Sequence, residues 1–481
     1  MTHNKFLPRV LAAAAAMMLL AGCGSKTDLG FSPANPVNIT IWTYYNGEQL
    51  EAFNALVDEF NSTVGKEQGI TVESSSHGSV TDLENNVLAS AEGKVGAEAM
   101  PNIFSAYADT AYALDEMGQI ADLSDYLSEK DRAAFIEDYL SEGDFSGSGS
   151  IKIFPVAKSA ELLFLNETDW EPFAAATGAT YDDLATIEGL VSVAERYYEW
   201  TDAQTPDIPN DGRAFFGRDA MANYMLIGAK QLGCTIFGAQ DGSMTLNFDH
   251  DAVRTLWDNY YVPFIKGYFS ASGRFRSDDV KTGNIIAYVG SSSSATFFPS
   301  QVIADDMDSH DITRKALESP KFANGEDYAV QQGAGMVVTK ASDAEIQASL
   351  VFLKWFTSPE HNITFSVDSG YLPVTHEGNS IDAIRISGLA LSDEMDEVLS
   401  AAVDTVNENH LYTPHAFSGG TNARAILEYS MSDKASADRA AVKEAMAQGQ
   451  SFEEASAQFL SDECFEAWYQ DTLASLEAFQ G

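Results

Sequence analysis

The chain has 481 residues, of which 45% are hydrophobic and 11% aromatic, and this length allows about two or three folded domains with sizeable cores. It carries 28 Lys and Arg residues against 71 Asp and Glu residues, a formal net charge of −43 at pH 7. Because proteins bind nucleic acid and anionic lipid through clustered Lys and Arg, this balance excludes both as main partners.

The N-terminal residues have the pattern of a lipoprotein signal peptide. Basic residues precede an apolar run at 10–21, which is shorter than the roughly 20 residues that a membrane-spanning helix needs. The run leads into LAGC, which matches the lipobox, where the chain is cut before the cysteine and the cysteine sulfur is lipidated. We expect a signal peptide at 1–22, a lipid on Cys23 and a flexible tether at 23–35. The alternative is an ordinary secretory signal with an incidental cysteine.

A lipidated N terminus predicts where the protein works. Two or three acyl chains anchor a protein stably to a membrane, whereas a single chain does not. We therefore expect an exported protein that its N-terminal lipid anchors to the outer face of the cytoplasmic membrane. The acidic body beyond the tether would then work in water.

Beyond the tether, short β-rich segments alternate with amphipathic helical segments. Strands are predicted at 38–42, 70–73 and 101–104, and helices at 48–61, 80–92 and 110–117. This alternation indicates parallel β/α units and an α/β fold with a doubly wound sheet. Because ligands of such sheets bind at the carboxyl ends of the strands, the loops after Trp42, Glu73 and Phe104 should face one crevice.

The rest of the chain continues with mixed elements. Strands are predicted at 161–165, 285–289 and 336–339, with a polar loop at 290–298. Ser342 and Glu345 form a predicted capping box for a helix that Pro359 stops, and a second box lies at Ser451 and Glu454 in a mostly helical C-terminal part. Breaks near 155, 330 and 372 predict two lobes between which the chain crosses more than once.

The cysteines and histidines indicate no metal site. The body contains Cys234 and Cys464, which could pair, although we expect two separate buried thiols. The spacing gives no CxxC, no HExxH and no HxH motif. We therefore predict no metal and no cofactor.

Five segments, in this order, resemble the extracellular solute-binding proteins of ABC importers, in their large carbohydrate-binding cluster. The most specific segment is similar to the family's block that ends in Gly-Tyr-Leu-Pro-Val. The segments are ITIW, MPNIFSAYADTAYALDEMGQIADLSDYL, ELLFLNETDW, VFLKWFTSPEHNITFSVDSGYLPV and AMAQGQSFEEASAQF.

The resemblance implies a fold, a function and partners. The family fold is a periplasmic-binding-protein-like fold of type II, with two α/β lobes that close on ligand about a hinge. Mapped here, lobe 1 covers 36–155 plus 330–371, and lobe 2 covers 156–329 plus 372–481. The resemblance implies a monomeric binding protein without enzymatic activity, which passes a small-molecule solute to the transmembrane subunits of an ABC permease.

The candidate ligand-binding residues lie on loops that follow strands or match the family's cleft. Aromatic faces stack on sugar rings, and carboxylate, guanidinium and amide groups bind hydroxyls. For the tyrosines after the first strand, which include Tyr44, the alternative is a place in the core, and for the others an ordinary surface or hinge role. The candidates are Tyr45, Asn46, Tyr107, Asp109, Ser159, Arg218, Asp219, Ser292, Ser293, Phe298, Gly335 and Tyr371.

The sequence leaves the solute open. The layout resembles the glycerol-3-phosphate-binding branch most, but a tyrosine of that branch falls on Leu83, and its C-terminal arginine falls on Asn422, two residues before Arg424. Since phosphate is normally bound by arginine or a backbone nest, we favour a neutral mono- or oligosaccharide over glycerol 3-phosphate or a glycerophosphodiester. A secreted glycosidase-like lipoprotein and a surface adhesin are remote alternatives, the former because paired carboxylates could support hydrolysis.

Overall fold

The computed structural model describes residues 30–240, 243–303 and 309–480. The predicted signal peptide, Cys23 and most of the predicted tether lie outside the described residues, so these predictions remain untested. None of the helices within the three ranges combines the length and the hydropathy that a membrane span requires.

The described chain alternates helices and strands. The strands are β1 Val37–Thr43, β2 Ile70–Ser76, β3 Ile103–Ala106, β4 Glu161–Asn166, β5 Phe216–Arg218, β6 Phe237–Gln240, β7 Ser243–Leu246, β8 Ala287–Ser291, β9 Gln301–Val302, β10 His310–Asp311, β11 Arg314–Glu318, β12 Tyr328–Val330, β13 Gly335–Val338 and β14 His410–Tyr412. The helices are α1 Gly47–Ser62, α2 Val64–Gln68, α3 Val80–Ala91, α4 Ala108–Glu116, α5 Glu129–Arg132, α6 Glu137–Ser141, α7 Glu167–Thr177, α8 Ile187–Asp202, α9 Met221–Gln231, α10 His250–Lys266, α11 Arg276–Lys281, α12 Asp343–Phe356, α13 Pro359–Ser369, α14 Ile381–Ile386, α15 Asp393–Glu408, α16 Gly420–Ala447, α17 Phe452–Ser456 and α18 Asp462–Glu477.

Two four-stranded sheets organise the molecule. The first sheet has the order β13-β3-β1-β2, in which β1 runs parallel to both β2 and β3, and β13 runs antiparallel to β3. The second sheet has the order β11-β4-β8-β5, in which β4 is antiparallel to both neighbours and β5 is parallel to β8. We call the parts built on these sheets lobe 1 and lobe 2, and the α/β prediction is confirmed.

The segments that connect the lobes run side by side. Lys158 and Leu372 exchange two backbone hydrogen bonds, with N···O distances of 3.1 and 2.6 Å. The next residue, Ser159, exchanges two more with Gln332, at 2.9 and 3.3 Å. Three crossing segments therefore form a narrow ribbon, which is defined by these four residues.

Amphipathic spacing was the most reliable guide to the helices. The helix predicted at 48–61 is α1, which buries Phe53, Leu56 and Phe60 against the first sheet. The capping box of Ser342 and Glu345 forms with both of its reciprocal hydrogen bonds. The order of strands and helices in the first sheet also follows the prediction, since a helix lies between successive parallel strands.

Four details differ from the prediction. The strand predicted at 101–104 begins and ends two residues later, as β3. The strand predicted at 285–289 begins and ends two residues later, as β8, and the polar loop after it is a 3₁₀ helix at Ser292–Phe297. Pro359 not only follows one helix but opens the next, because its fixed φ and missing N–H suit the first helical position. Both sheets are mixed rather than parallel, because β13 is antiparallel to β3 in the first and β4 is antiparallel to both neighbours in the second.

Cys234 and Cys464 are both free thiols, which agrees with the prediction that they do not pair. Cys234 is buried, where desolvation raises the pKa of its thiol. Cys464 is only half-buried and therefore departs from the expected burial.

Candidate functional site

A tyrosine cluster forms where the carboxyl ends of β1 and β3 meet. Tyr44 follows β1, Tyr107 follows β3, and Tyr371 comes from a crossing segment. The hydroxyl oxygens of Tyr44 and Tyr371 lie 3.2 Å apart. Burial raises the pKa of all three phenols, and the proximity of Tyr371 adds to this effect at Tyr44 and Tyr107. The three hydroxyls are therefore neutral, and each can donate or accept a hydrogen bond.

Tyr45 packs directly behind the tyrosine cluster, with its ring centroid 5.2 Å from that of Tyr44 and 6.0 Å from that of Tyr371. It is 1% exposed and packs against Phe53 and Phe365 with ring centroids 5.4 and 5.5 Å apart. Tyr44 is half-buried and is the more accessible of the two tyrosines, whereas Tyr45 supports the cluster from the core.

Lobe 1 contributes carboxylates beside the tyrosines. Desolvation raises the pKa of Asp109 from 3.8 to about 6; Arg424 opposes this rise, whereas Glu84 and Glu142 add to it. Desolvation also raises the pKa of Glu84, which accepts a hydrogen bond of 2.8 Å from the Thr110 hydroxyl. This wall is therefore acidic and partly dehydrated.

Glu142 belongs to a fully buried ion pair at the edge of the same wall. Its carboxylate contacts the ammonium group of Lys158, which also donates a 2.8 Å hydrogen bond to the carbonyl oxygen of Gly333. Lys158 is 0% exposed and lies in the ribbon. The pair therefore joins the lobe 1 wall to the crossing segments.

The facing wall comes from lobe 2. Glu161, the first residue of β4, accepts hydrogen bonds from Arg218 and, at 2.8 Å, from the amide of Asn223. The amide oxygen of Asn223 accepts in turn from the guanidinium of Arg424 in α16. This chain of charged and amide groups runs within lobe 2 from Arg218 through Glu161 and Asn223 to Arg424.

Arg424 and the start of α16 bring lobe 2 against lobe 1. The charge of Arg424 acts on Glu84, Tyr107 and Asp109. At Gly420, one turn earlier, a Cβ atom would overlap the carboxylate of Asp109. The two lobes therefore meet at Asp109, and only glycine allows this approach.

Asp219 forms a second acidic position on the lobe 2 wall. Its Oδ1 atom accepts a 3.2 Å hydrogen bond from the backbone N–H of Arg276 and lies 3.5 Å from Nε of that guanidinium. Desolvation raises the pKa of Asp219 to about 6, although the Arg276 charge lowers it and Glu161 adds to the rise.

The serine segment after β8 contacts lobe 1 near the ribbon. The Ser292 hydroxyl donates to the carbonyl oxygen of Gly370 at 2.8 Å, and the side-chain amide of Gln49 donates to the Ser293 carbonyl oxygen at 3.2 Å. The Ser293 side chain also hydrogen-bonds Tyr371, which favours the ionised phenol and partly offsets the effect of burial on the pKa. This segment therefore links the lobes beside the tyrosine cluster.

The structure places the predicted site residues in two groups. Those in or beside the crevice are Tyr107, Asp109, Ser159, Arg218, Asp219, Ser292, Ser293 and Tyr371. Tyr45 packs behind the tyrosine cluster in the core. Three others take no part in the contacts described above. Asn46 is exposed at the start of α1, Phe298 stacks on Tyr288 at 6.2 Å, and Gly335 lies in β13, where a Cβ atom would overlap Ile153.

Sequence reasoning missed the groups that connect the predicted residues. These groups are Glu84, Glu142, Lys158, Glu161 and Asn223, and Arg424 was set aside because of its register. Only Glu161 could have been recognised from the sequence. It opens the otherwise apolar strand segment ELLFL, and a charge in a buried strand needs a partner. Glu84 and Asn223 give no comparable signal, since polar residues are common on helices.

The arrangement suits a polyhydroxylated solute better than an anion. The carboxylates of Glu84, Asp109, Glu142, Glu161 and Asp219 outnumber the cations of Lys158, Arg218, Arg276 and Arg424. Two buried polar atoms, Ser159 Oγ and Arg218 Nε, have no hydrogen-bond partner among the described residues. Within the described ranges, no three His, Cys, Asp or Glu side chains are placed to hold a metal ion.

Comparison with known proteins identifies the family of the chain. Residues 55–384 match the family described as bacterial extracellular solute-binding protein. No curated protein is significantly similar to the chain in sequence.

Solved structures with the same fold are distant in sequence. The cyclic alpha-maltosyl-1,6-maltose binding protein from Arthrobacter globiformis has a TM-score of 0.64 and 16% identity, covering 92% of this chain and 100% of that chain. UgpB from Mycobacterium tuberculosis in complex with glycerophosphocholine has a TM-score of 0.65 and 16% identity, covering 92% and 98%. An ABC substrate-binding protein from Listeria monocytogenes in complex with cycloalternan has a TM-score of 0.64 and 15% identity, covering 92% and 98%. These likenesses show the fold.

Proposed function

Because the chain belongs to the bacterial extracellular solute-binding proteins, we propose that it captures a carbohydrate between its lobes and delivers it unchanged to an ABC permease. The observation that carries this proposal is the meeting of Asp109 from lobe 1 with Gly420 and Arg424 from lobe 2. Ligand that contacts both walls would favour the closed arrangement, because it binds that arrangement better than an open one.

The chemistry of both walls supports a sugar. Neutral tyrosine hydroxyls and carboxylates bind sugar hydroxyls, and tyrosine rings can stack on the apolar faces of a sugar ring. The hydroxyls of a bound sugar would also supply partners for Ser159 Oγ and Arg218 Nε. Two of the three structures described above are named for oligosaccharide ligands.

A glycerophosphodiester is the second candidate, because Arg424 lies at the crevice although its register in the sequence argued against it. Two observations disfavour it. Arg218 is paired with Glu161, and Arg424 faces the carboxylates of Glu84 and Asp109. A phosphodiester would therefore enter an acidic site in which the cations already have partners.

Calorimetric titration separates the candidates. We expect a mono-, di- or oligosaccharide to bind at one site without product formation, and glycerol 3-phosphate and glycerophosphocholine to bind at least tenfold more weakly. In Arg424→Gln, binding of a phosphodiester should fall by more than tenfold, because an ionic hydrogen bond is lost. Preferential binding of a phosphodiester with that response would replace the sugar proposal, and turnover of a glycoside would contradict the binding role.

The location and the lobe boundaries form part of the same proposal. We place lobe 1 at 36–155 plus 330–371 and lobe 2 at 156–329 plus 372–481; membership of β13 in the first sheet and β11 in the second supports this division. We further propose that the protein is a monomer that a lipid on Cys23 anchors to the outer face of the cytoplasmic membrane.

A further inference from the structure

A second large cavity lies at the opposite edge of the lobe 2 sheet from the crevice. The carboxyl end of β5 reaches the crevice at Arg218, whereas the cavity is lined by Arg213 and Ala214, just before β5, and by Gly283 and Asn284, just before β8. Because β5 and β8 are parallel, these segments lie at the amino edge of the sheet. The strands separate the two sites by about 10 Å or more.

The cavity is large enough for a small organic molecule. Its volume is about 840 Å³, within the range of about 300–1,000 Å³ that is common for ligand sites. Helix α8, the end of α10 and the side of α16 surround it, and Tyr197 and Trp200 form an aromatic part of the lining. Hydroxyl and amide groups, including Ser270, Ser272 and Asn284, complete the wall.

The charge of this cavity is opposite to that of the whole protein. Arg213, Arg439 and Lys443 line it together with the acids Asp169 and Asp211, whereas the chain as a whole has 28 basic and 71 acidic residues. Both acids are already engaged. Asp169 contacts His310 at 2.8 Å, and Asp211 accepts a 2.5 Å hydrogen bond from Thr205.

Arg439 is built into the wall. Its Nη1 atom donates a 2.8 Å hydrogen bond to the carbonyl oxygen of Ile265. Gly267 has a φ of 89°, and a Cβ atom there would overlap the guanidinium, so the helix end leaves space for this group. Desolvation lowers the pKa of Arg439, which shows that its charge is held without full hydration.

Lys443 lies one helical turn further along α16. Its side chain is exposed, but partial desolvation at the cavity wall lowers the pKa of its ammonium group, and the nearby charge of Arg439 lowers it again. The partners of Arg439 are the Ile265 carbonyl oxygen and the Tyr198 side chain, neither of which is a carboxylate, and the charge that acts on Lys443 is that of Arg439. Like charges at this spacing repel each other, and an anion between them would remove the repulsion.

We propose that this cavity binds a small organic anion, a carboxylate or a phosphate ester, with the negative group at Arg439 and Lys443 and an apolar part against Trp200. The inference is independent of the solute in the crevice, and its failure leaves the proposed function unchanged. All the residues that line this cavity belong to lobe 2, so a ligand here would contact no residue of lobe 1.

Titration of the full chain with phenyl phosphate, benzoate and benzyl alcohol tests the proposal. At low ionic strength, both anions should bind one site with a Kd below about 1 mM, and the neutral alcohol at least tenfold more weakly. Lys443 is exposed, so Lys443→Gln should fold normally; it should weaken anion binding at least tenfold. The control Lys434→Gln removes the same charge from α16 at a lysine that is paired with Asp438 at 2.9 Å, and it should leave binding unchanged.

Several results would overturn the inference. They are absence of anion binding in this range, equal affinity for benzyl alcohol, or an equal response of Lys443→Gln and Lys434→Gln. Binding of phenyl phosphate but not benzoate would restrict the ligand to phosphate esters. Competition between the anions and a sugar that binds the crevice would place the anions in the crevice and also contradict the proposal.

Discussion

Replacing Asp109 by asparagine should make the protein more stable near neutral pH. Asp109 has a pKa of about 6, raised from 3.8, because it is desolvated between the lobes, although the Arg424 charge partly offsets this. Since a difference of one in pKa corresponds to about 1.4 kcal/mol, ionisation of Asp109 costs the folded state up to about 3 kcal/mol.

The direction of this pH dependence follows from which state, folded or unfolded, binds the proton more tightly. Above about pH 6 the carboxylate is ionised in both states, and the folded state bears the full cost. As the pH falls from about 6 to 3.8, the folded state binds the proton first and the cost disappears. The amide of the Asp109→Asn variant does not titrate, so the stability difference between this variant and wild type should grow by up to about 3 kcal/mol from pH 4 to pH 7.

Urea unfolding at a series of pH values measures this difference, because titrating groups that do not interact with Asp109 are shared and cancel. A control of opposite sign is Asp396→Asn. Arg385 binds both oxygens of Asp396, at 2.7 and 2.6 Å, and this hydrogen bonding lowers the pKa of that carboxyl. Asp396→Asn should therefore be less stable than wild type at neutral pH, with the loss fading as the pH falls through the lowered pKa. A stability difference for Asp109→Asn that stays constant from pH 4 to pH 7, or that shrinks as the pH rises, would refute the reasoning.

Three further predictions concern single side chains. Tyr371→Phe keeps the ring stacked on Phe365 at 5.9 Å and removes only the hydroxyl that lies 3.2 Å from that of Tyr44. Calorimetry should show that affinity for the solute falls about two- to tenfold, because one hydrogen bond is lost. An unchanged Kd would mean that this hydroxyl does not contact the solute. Ala220 has a φ of 50°, in the left-handed region; Ala220→Gly should raise the free energy of unfolding by about 1 kcal/mol in urea, whereas a decrease would mean that packing of the methyl group outweighs the strain. Cys23→Ser should release the protein from the membrane in cell fractionation, and continued membrane association would contradict the lipid anchor.

Local patterns predicted much of the fold because they are set by neighbouring residues. The apolar spacing of α1 and the capping box at Ser342 and Glu345 depend on a few consecutive positions, and both formed as expected. The start of β8 was placed two residues early, because Ile285 and Ile286 are as apolar as the strand itself. Their burial comes from tertiary packing, which a short window does not contain.

The site was harder to predict, because its contacts join distant parts of the chain. Arg424 and Asn223 are 201 positions apart, and Tyr44 and Tyr371 are 327 apart. The difference in burial between Tyr44 and Tyr45 depends on packing of Tyr45 against Phe53 and Phe365, which a short sequence window does not contain. Residue type and loop position predicted Tyr107 and Asp109 as site residues, but they did not predict the neighbouring groups that shift the pKa of each.

The paired strands of the ribbon have a mechanical consequence. Since Lys158 is bonded to Leu372 and Ser159 to Gln332, the three connecting segments bend as one strip and resist twisting or sliding against each other. We therefore expect any relative movement of the lobes to follow mainly one angular coordinate. Two pairs of spectroscopic labels, placed at different points across the crevice, test this expectation. The two inter-label distances should change in fixed proportion throughout a ligand titration, with no conformer in which only one of them shortens.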